Sequence, residues 1–91
     1  MRDMRTIRRS SKFKKDLRKA QSQGRDLELL KDVIRTLQEG RMMAARHRDH
    51  SLSSNWEDHR ECHVTPDWLL VYQVTETELR LVRLGSHSEL F

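Results

Sequence analysis

The hydrophobic residues of this chain change their spacing half-way along it. Phe13, Leu17 and Ala20 recur every three or four residues, and a second set with the same spacing lies in residues 26–40. Both sets predict amphipathic helices. Beyond the serine-rich segment 51–55, the hydrophobic period falls to two, which is typical of strands. Helical spacing followed by strand spacing favours an α+β fold.

Capping residues, glycines and turn residues set the boundaries of the predicted elements. In chain order they are a strand Thr6–Arg9, a helix from Ser10 or Ser11 to Gly24, a helix Asp26–Gly40, a loop Arg41–Asn55, strands Trp56–Val64, Trp68–Val74 and Glu78–Leu84, and a tail Ser86–Phe91. The order β-α-α-β-β-β predicts one domain, residues 1–91, with two N-terminal helices packed on a twisted antiparallel sheet.

The apolar runs and the cysteine count exclude several classes of protein. The longest unbroken apolar run, Trp68–Tyr72, is far shorter than the ~20 residues of a membrane helix. The segment Met1–Arg5 has basic residues but no apolar stretch behind them, so we expect no signal peptide. Cys62 is the only cysteine, which excludes an internal disulfide and a cysteine-based zinc site. A reducing cytoplasm is the simplest compartment, and no membrane association is expected.

Charge is distributed unevenly along the chain. Residues 1–50 contain 15 Lys/Arg and 7 Asp/Glu, whereas residues 51–91 contain 3 and 7. The net charge of +4 and the pI near 9.7 suggest a polyanionic partner. On the predicted first helix, Lys14, Lys15 and Arg18 are candidates to contact RNA, although such a basic stripe is most often only a solvated face.

Histidine, aspartate and arginine side chains are expected at one edge of the predicted sheet. His63 lies near the end of one strand, Asp67 follows the next turn, and Arg83 lies near the end of the last strand. In an antiparallel meander these positions are neighbours. His87 lies four residues beyond Arg83, and His50 lies on a loop that could fold over the same edge.

This set of side chains suits acid–base cleavage of a phosphodiester. Imidazoles accept and donate protons near neutral pH, and a guanidinium matches phosphoryl oxygens. Trp68 or Phe91 could stack on an unpaired base. With a ribose 2′-hydroxyl as nucleophile no metal is required, so we predict no cofactor. Simpler roles remain open: surface histidines, an ion-paired Arg83 and a core position for Trp68.

Metal binding is the main alternative for the histidines. His59 and His63 would share a zinc ion if they lay on a helix. On a strand, positions i and i+4 are about 13 Å apart at ~3.3 Å per residue, too far for one ion. The pair His47 and His50 is an equally weak signal. We therefore predict no metal site.

Several segments of the chain resemble one toxin family nearly from end to end. They are the Ser10–Leu17 opening of the first helix, Asp49-His50, Trp56, Arg60–Val64, Pro66–Tyr72 and Arg83–Phe91. Together they resemble the YafQ branch of the RelE/ParE toxin superfamily. The resemblance implies a small microbial-RNase-like RelE fold. It also implies a type II toxin: a ribosome-dependent endoribonuclease that cuts mRNA in the ribosomal A site and so inhibits translation.

The resemblance also assigns roles to the candidate residues. It implies that the acid–base group consists of His50, His63, Asp67 and His87. Arg83 would stabilise the transition state, and the aromatic side chains of Trp68 and Phe91 would position the nucleotide. His87 is the best candidate for the general acid, with His50 or His63 on the base side. The implied products are a 2′,3′-cyclic phosphate and a 5′-hydroxyl.

The same resemblance implies particular partners. They are a DinJ-like ribbon-helix-helix antitoxin, the 70S ribosome with its mRNA, and operator DNA only through the antitoxin complex. Two other functions fit the basic charge: a non-catalytic RNA- or DNA-binding module, and a gyrase inhibitor of the ParE kind. The binding module predicts that the lysines and arginines matter and that the histidines do not.

Overall fold

A computed structural model describes residues 4–91 of the chain. Its elements are β1 Thr6–Arg9, α1 Ser11–Ser22, α2 Leu27–Gln38, β2 His50–Ser51, β3 Arg60–Thr65, β4 Trp68–Val74, β5 Glu78–Gly85 and α3 His87–Leu90, with 3₁₀ turns at Ala45–His47 and Ser54–Trp56. The expectations for Met1–Arg5 and for the domain range 1–91 include residues 1–3, which lie outside the described part. None of the helices described is long and apolar enough to cross a membrane.

The five strands form one mixed sheet in the order β1-β5-β4-β3-β2. Neighbours from β2 to β5 are antiparallel, as expected from the short turns that join β3 to β4 and β4 to β5. β1, however, pairs with β5 in the parallel direction. The α+β class is confirmed, but the expectation of a fully antiparallel sheet is wrong at this edge. The two strands are far apart in sequence, so no hairpin fixes their relative direction.

The two predicted helices form where their caps place them. The Ser10 hydroxyl accepts a hydrogen bond from the Phe13 amide at 2.9 Å, and the Asp26 carboxylate accepts one from the Glu28 amide at 3.0 Å. Both helices pack on one face of the sheet and bury the main core there. Its buried members are Phe13, Ala20, Leu30, Val33, Leu37, Cys62, Val64, Trp68, Leu70, Tyr72, Leu79, Leu81 and Leu84.

Three boundaries differ from the sequence prediction. The strand expected from Trp56 begins only at Arg60, because Ser54 and Asp58 adopt left-handed backbone conformations with φ of 57° and 68° and interrupt an extended run. The predicted loop contains the short strand β2. The predicted tail instead forms α3, where Ser86 and Glu89 make a reciprocal capping box.

A bulge in β5 changes which residues face the helices. Val71 is paired with Arg83 and Tyr72 with Leu81, so one extra residue, Val82, lies between the two pairs. Leu81 belongs to the helix-side core, whereas Val82 packs with Val71 on the opposite face. Since Arg83 pairs with Val71, the bulge puts Val82 and Arg83 on that face together. We call it the open face, since neither α1 nor α2 covers it.

Candidate active site

The open face carries a row of four residues, one from each of four neighbouring strands. Sheet register aligns His50 on β2 with Glu61 on β3, Glu61 with Val71 on β4, and Val71 with Arg83 on β5. At about 4.8 Å per strand, His50 and Arg83 lie roughly 14 Å apart at their Cα atoms. The row therefore has an imidazole at one end, a guanidinium at the other, and the Glu61 carboxylate and the apolar Val71 between them. Val71 and Leu69 of β4 form the apolar floor of the open face.

A buried carboxylate joins two of the predicted histidines. Glu61 is only 6% exposed, and its Oε1 lies 3.5 Å from His50 Nε2 and 3.6 Å from His63 Nε2. The two imidazole rings are 6.5 Å apart between centroids. The structure thus brings His50 and His63 together, as predicted. Glu61 is not among the site residues predicted from the sequence, although its position two residues before His63 puts both side chains on one face of a strand.

Backbone carbonyls orient both imidazole rings. His50 Nδ1 lies 2.7 Å from the Arg48 carbonyl, and His63 Nδ1 lies 3.2 Å from the Pro66 carbonyl. A carbonyl oxygen only accepts hydrogen bonds, so Nδ1 carries the hydrogen in each ring. Each Nε2 is then directed to Glu61. A proton taken up at either Nε2 would be compensated by this one carboxylate.

Asp49, directly before β2, is held by side chains from the other side of the sheet. The Asp49 carboxylate accepts a 2.7 Å hydrogen bond from the Tyr72 hydroxyl and a 3.2 Å one from Arg60 Nε. Burial of the Tyr72 hydroxyl, together with its bond to Asp49, raises the pKa of this phenol above its ordinary value. The hydroxyl stays a donor, and Asp49 holds the neighbouring His50 in place.

The guanidinium of Arg83 is held by a carboxylate from α1. Asp16 accepts hydrogen bonds from Arg83 Nε at 2.7 Å and Nη2 at 3.2 Å, and also from the Leu84 amide at 2.9 Å. The hydrogen bonds that Arg83 donates to Asp16 raise the pKa of this guanidinium above its ordinary value. Asp16 occupies one edge of the planar group, which leaves the Nη1 side for another anion.

His87 and Phe91 lie together at the end of the open face where β5 leads into α3. Their ring centroids are 5.3 Å apart, and Phe91 is also 5.9 Å from Trp56. Phe91 is 48% exposed, so part of its ring can meet a ligand. Leu90 of the same short helix packs on Leu69 and Val71 of the floor and so anchors α3 to the sheet.

The expectation for Trp68 has to be revised. Its side chain is 1% exposed and packs in the helix-side core, with the Arg25 guanidinium 5.3 Å from its ring centroid. It lines a cavity of about 70 Å³ beside Asp16 and Arg83, and its Nε1–H has no partner among the described residues. Trp68 therefore has no exposed surface on which a base could stack. The tryptophan on the open face is Trp56.

The remaining candidates are dispersed. Asp67 is exposed in the turn between β3 and β4, directly after Pro66, whose carbonyl contacts His63. Lys14, Lys15 and Arg18 are exposed on α1. Cys62 is fully buried on the helix side, and burial raises its pKa to about 12, so its thiol is not poised to act as a nucleophile.

The alternative metal site finds little support in the side-chain geometry. Within residues 4–91, no group of three histidine, cysteine, aspartate or glutamate side chains is arranged to hold a metal ion. His59 Nδ1 contacts the Glu57 carbonyl at 3.0 Å, and His47 Nδ1 contacts the His63 carbonyl at 2.7 Å. These contacts leave only Nε2 of His59 and of His47 free to bind a metal. The absence of a metal requirement stays a prediction.

Comparison with known proteins identifies the family. The family model described as the bacterial toxin YafQ of type II toxin–antitoxin systems matches residues 5–91. The chain belongs to this family. An mRNA interferase toxin YafQ from Escherichia coli strain B/BL21-DE3 is 39% identical to it over 88 residues, which are 96% of each protein.

Solved structures agree with this membership. The E. coli DinJ–YafQ toxin–antitoxin complex matches with a TM-score of 0.90 and 36% identity over 97% of this chain and 98% of that one. A metal-bound toxin from Helicobacter pylori matches with a TM-score of 0.91 and 50% identity over 97% of this chain and 100% of that one. The resemblance to the YafQ branch and the fold that it implied are confirmed.

Proposed function

We propose that this YafQ-family toxin is an mRNA interferase that cuts messages in the ribosomal A site without a metal ion. The observation that carries the proposal is Glu61, which faces the Nε2 atoms of both His50 and His63 on the open face. Arg83 lies at the far end of the same row, and His87 begins α3, two residues after the end of β5. The E. coli relative, which is named an mRNA interferase, supports the same activity.

The chemistry is an internal transesterification, in which the 2′-oxygen replaces the 5′-oxygen on phosphorus. The ribose 2′-oxygen forms a bond to the adjacent phosphorus and gives its proton to an imidazole Nε2 of His50 or His63. The bond from phosphorus to the 5′-oxygen breaks, and that oxygen takes a proton from His87. The products are a 2′,3′-cyclic phosphate and a 5′-hydroxyl, and the two proton transfers balance.

The other site residues stabilise charge. Glu61 compensates the positive charge that the accepting imidazole gains, and Arg83 binds the phosphoryl oxygens on which negative charge grows. Asp67 belongs to the acid–base group through its turn next to His63. Phe91 positions the nucleotide beside His87, whereas Trp68 is left out because it is buried.

The proposed partners rest on membership of the family. Because a related YafQ toxin forms a complex with DinJ, we propose a DinJ-like ribbon-helix-helix antitoxin for this chain, with operator DNA bound only through that complex. Its site of action is the cytoplasm, on the 70S ribosome. Lys14, Lys15 and Arg18 supply a cationic surface for ribosomal RNA.

The decisive experiment uses translating ribosomes with a defined message. It compares the purified toxin with toxin that was treated with EDTA and then freed of the chelator, because EDTA in the reaction would remove the Mg²⁺ that the ribosome needs. We expect equal cleavage by both preparations, fragments ending in cyclic phosphate, and a loss of about 10² to 10⁴ in rate for His87→Ala. No cleavage, or full cleavage by the variant, contradicts the proposal, and a rate that falls after EDTA treatment and returns with added metal would point to a metal-dependent site.

The same experiment separates the alternatives. A non-catalytic binding module would leave the message intact, and its ribosome binding would depend on Lys14, Lys15 and Arg18 rather than on His87. A gyrase inhibitor would produce DNA damage signalling on expression, with the messages uncut.

A further inference from the structure

Four aromatic rings follow one another on the rim of the open face. His87 contacts Phe91 at 5.3 Å between centroids, Phe91 contacts Trp56 at 5.9 Å, and Trp56 contacts His59 at 5.3 Å in a T-shaped pair. Trp56 is half-buried and packs on the apolar floor. One end of this series is therefore the proposed general acid, and its middle is a large aromatic surface held by the sheet.

The backbone on both sides of Trp56 adopts conformations that are unfavourable in free energy. Ser54 and Asp58, two residues on either side, both adopt left-handed conformations with φ of 57° and 68°, which non-glycine residues rarely do. Such conformations persist when the surrounding structure requires them, and they concentrate at functional sites. Packing a hydrophobic side chain on a sheet does not by itself need them, since a regular strand does the same.

The charges beside Trp56 indicate what kind of group it meets. Its neighbours Glu57 and Asp58 are acidic and exposed, so a phosphate would be repelled there. The flat, uncharged face of a nucleobase is not repelled, and stacking on aromatic side chains is how proteins usually hold unpaired bases.

We propose that Trp56 and Phe91, whose rings are inclined at 70° to each other, form a binding platform on which the base of a nucleotide next to the scissile phosphate stacks against Trp56 and is flanked by Phe91. The proposal rests on the proposed nuclease function. A base on this platform fixes the adjacent phosphate near His87, and the edge-on contact with His59 sets the tilt of the Trp56 ring. Trp56 is thus a substrate-positioning residue. It takes the stacking role that the sequence suggested for Trp68, which is buried.

The test uses ribosomes programmed with a message that carries 2-aminopurine in the A-site codon. A 2′-O-methyl group at the cut nucleotide blocks attack, so the fluorescence of 2-aminopurine reports stacking without cleavage. We expect quenching by the unmodified toxin and little quenching by Trp56→Leu. On an unblocked message, Trp56→Leu should raise KM roughly tenfold, the order expected for one lost base–aromatic stack, and Trp56→Phe only two- to threefold.

Leu52→Ala is the matched control, because Leu52 packs in the same open-face cluster but has no ring. It should lower the melting temperature, as Trp56→Leu does, and leave quenching and KM unchanged. Equal quenching by the unmodified toxin and by folded Trp56→Leu overturns the platform while the nuclease function stands. If the unmodified toxin fails to cut the unblocked message, the proposed function itself is lost.

Discussion

Neighbouring residues of β3 serve opposite faces of the sheet. Glu61 and His63 point to the open face, where they meet His50, whereas Cys62 and Val64 point to α1 and α2 and are buried in the core. β4 repeats the pattern, with Leu70 and Tyr72 on the helix side and Leu69 and Val71 on the floor of the open face. The same strands thus provide folding stability on one face and candidate chemistry on the other.

The difference teaches where polar groups are tolerated. Among the described residues the helix face is nearly all apolar, with the Tyr72 hydroxyl bonded to Asp49 and the Trp68 Nε1–H left without a partner. The open face instead buries the carboxylate of Glu61 among imidazoles. A buried carboxylate is costly unless it is paired, so its retention here favours a functional reason.

Glu61 and Cys62 give the largest expected contrast between the faces. Glu61→Gln keeps the size of the side chain but removes its charge, so an imidazole that accepts a proton is no longer compensated. We expect kcat on ribosome-bound message to fall on the order of 10², the scale of losing one preorganised charge-stabilising group. Cys62→Ala should leave kcat unchanged and lower stability by about 1 kcal/mol, or roughly 4–8 °C in melting temperature.

Two results would break this contrast. If Glu61→Gln melts at the normal temperature and cuts at the normal rate, Glu61 is only a packing residue. If Cys62→Ala lowers kcat as much as Glu61→Gln does, the two faces are not functionally separate.

Much of the helix face could be predicted from the sequence, because apolar spacing directly reports burial. The two helices, their caps and the strands Trp68–Val74 and Glu78–Leu84 were placed within a residue or two. Local patterns of this kind carry their own physical signal.

What could not be predicted depends on contacts distant in sequence. The parallel pairing of β1 with β5 has no local signal. The β5 bulge puts the side chains of Val82 and Arg83 on the same face of the sheet, and no residue type in the sequence indicates a bulge there. Trp68 and Trp56 look alike as aromatic residues near histidines, and only the packing of α1 and α2 shows that Trp68 is the buried one.

Asp16 offers a second, smaller test, because it reaches from α1 to a residue of the open face. Asp16→Asn should disorient the Arg83 guanidinium and lower kcat about tenfold, with a modest loss of stability from the Leu84 amide. In an Arg83→Ala background the same substitution should lower kcat no further, because its effect passes through Arg83. An equal loss of kcat in both backgrounds would mean that Asp16 only supports the fold.

The smallest effect concerns the anchoring of α3, which carries His87. A hydrogen bond from Lys19, together with the Ser86 amide and hydroxyl, lowers the pKa of Glu89 to about 2. A carboxylate with a lowered pKa in the folded state stabilises the protein above its unfolded pKa, near 4.3, and loses this contribution as the pH falls towards 2. Glu89→Gln should therefore be less stable than the unmodified protein at pH 6 but lose less stability on acidification.

Melting temperatures of the two proteins at pH 6, 4 and 2.5 measure the difference, which should be small because the ion pair is partly exposed. Parallel curves for the two proteins would show that the capping box, and not the charge of Glu89, holds α3 on the open face.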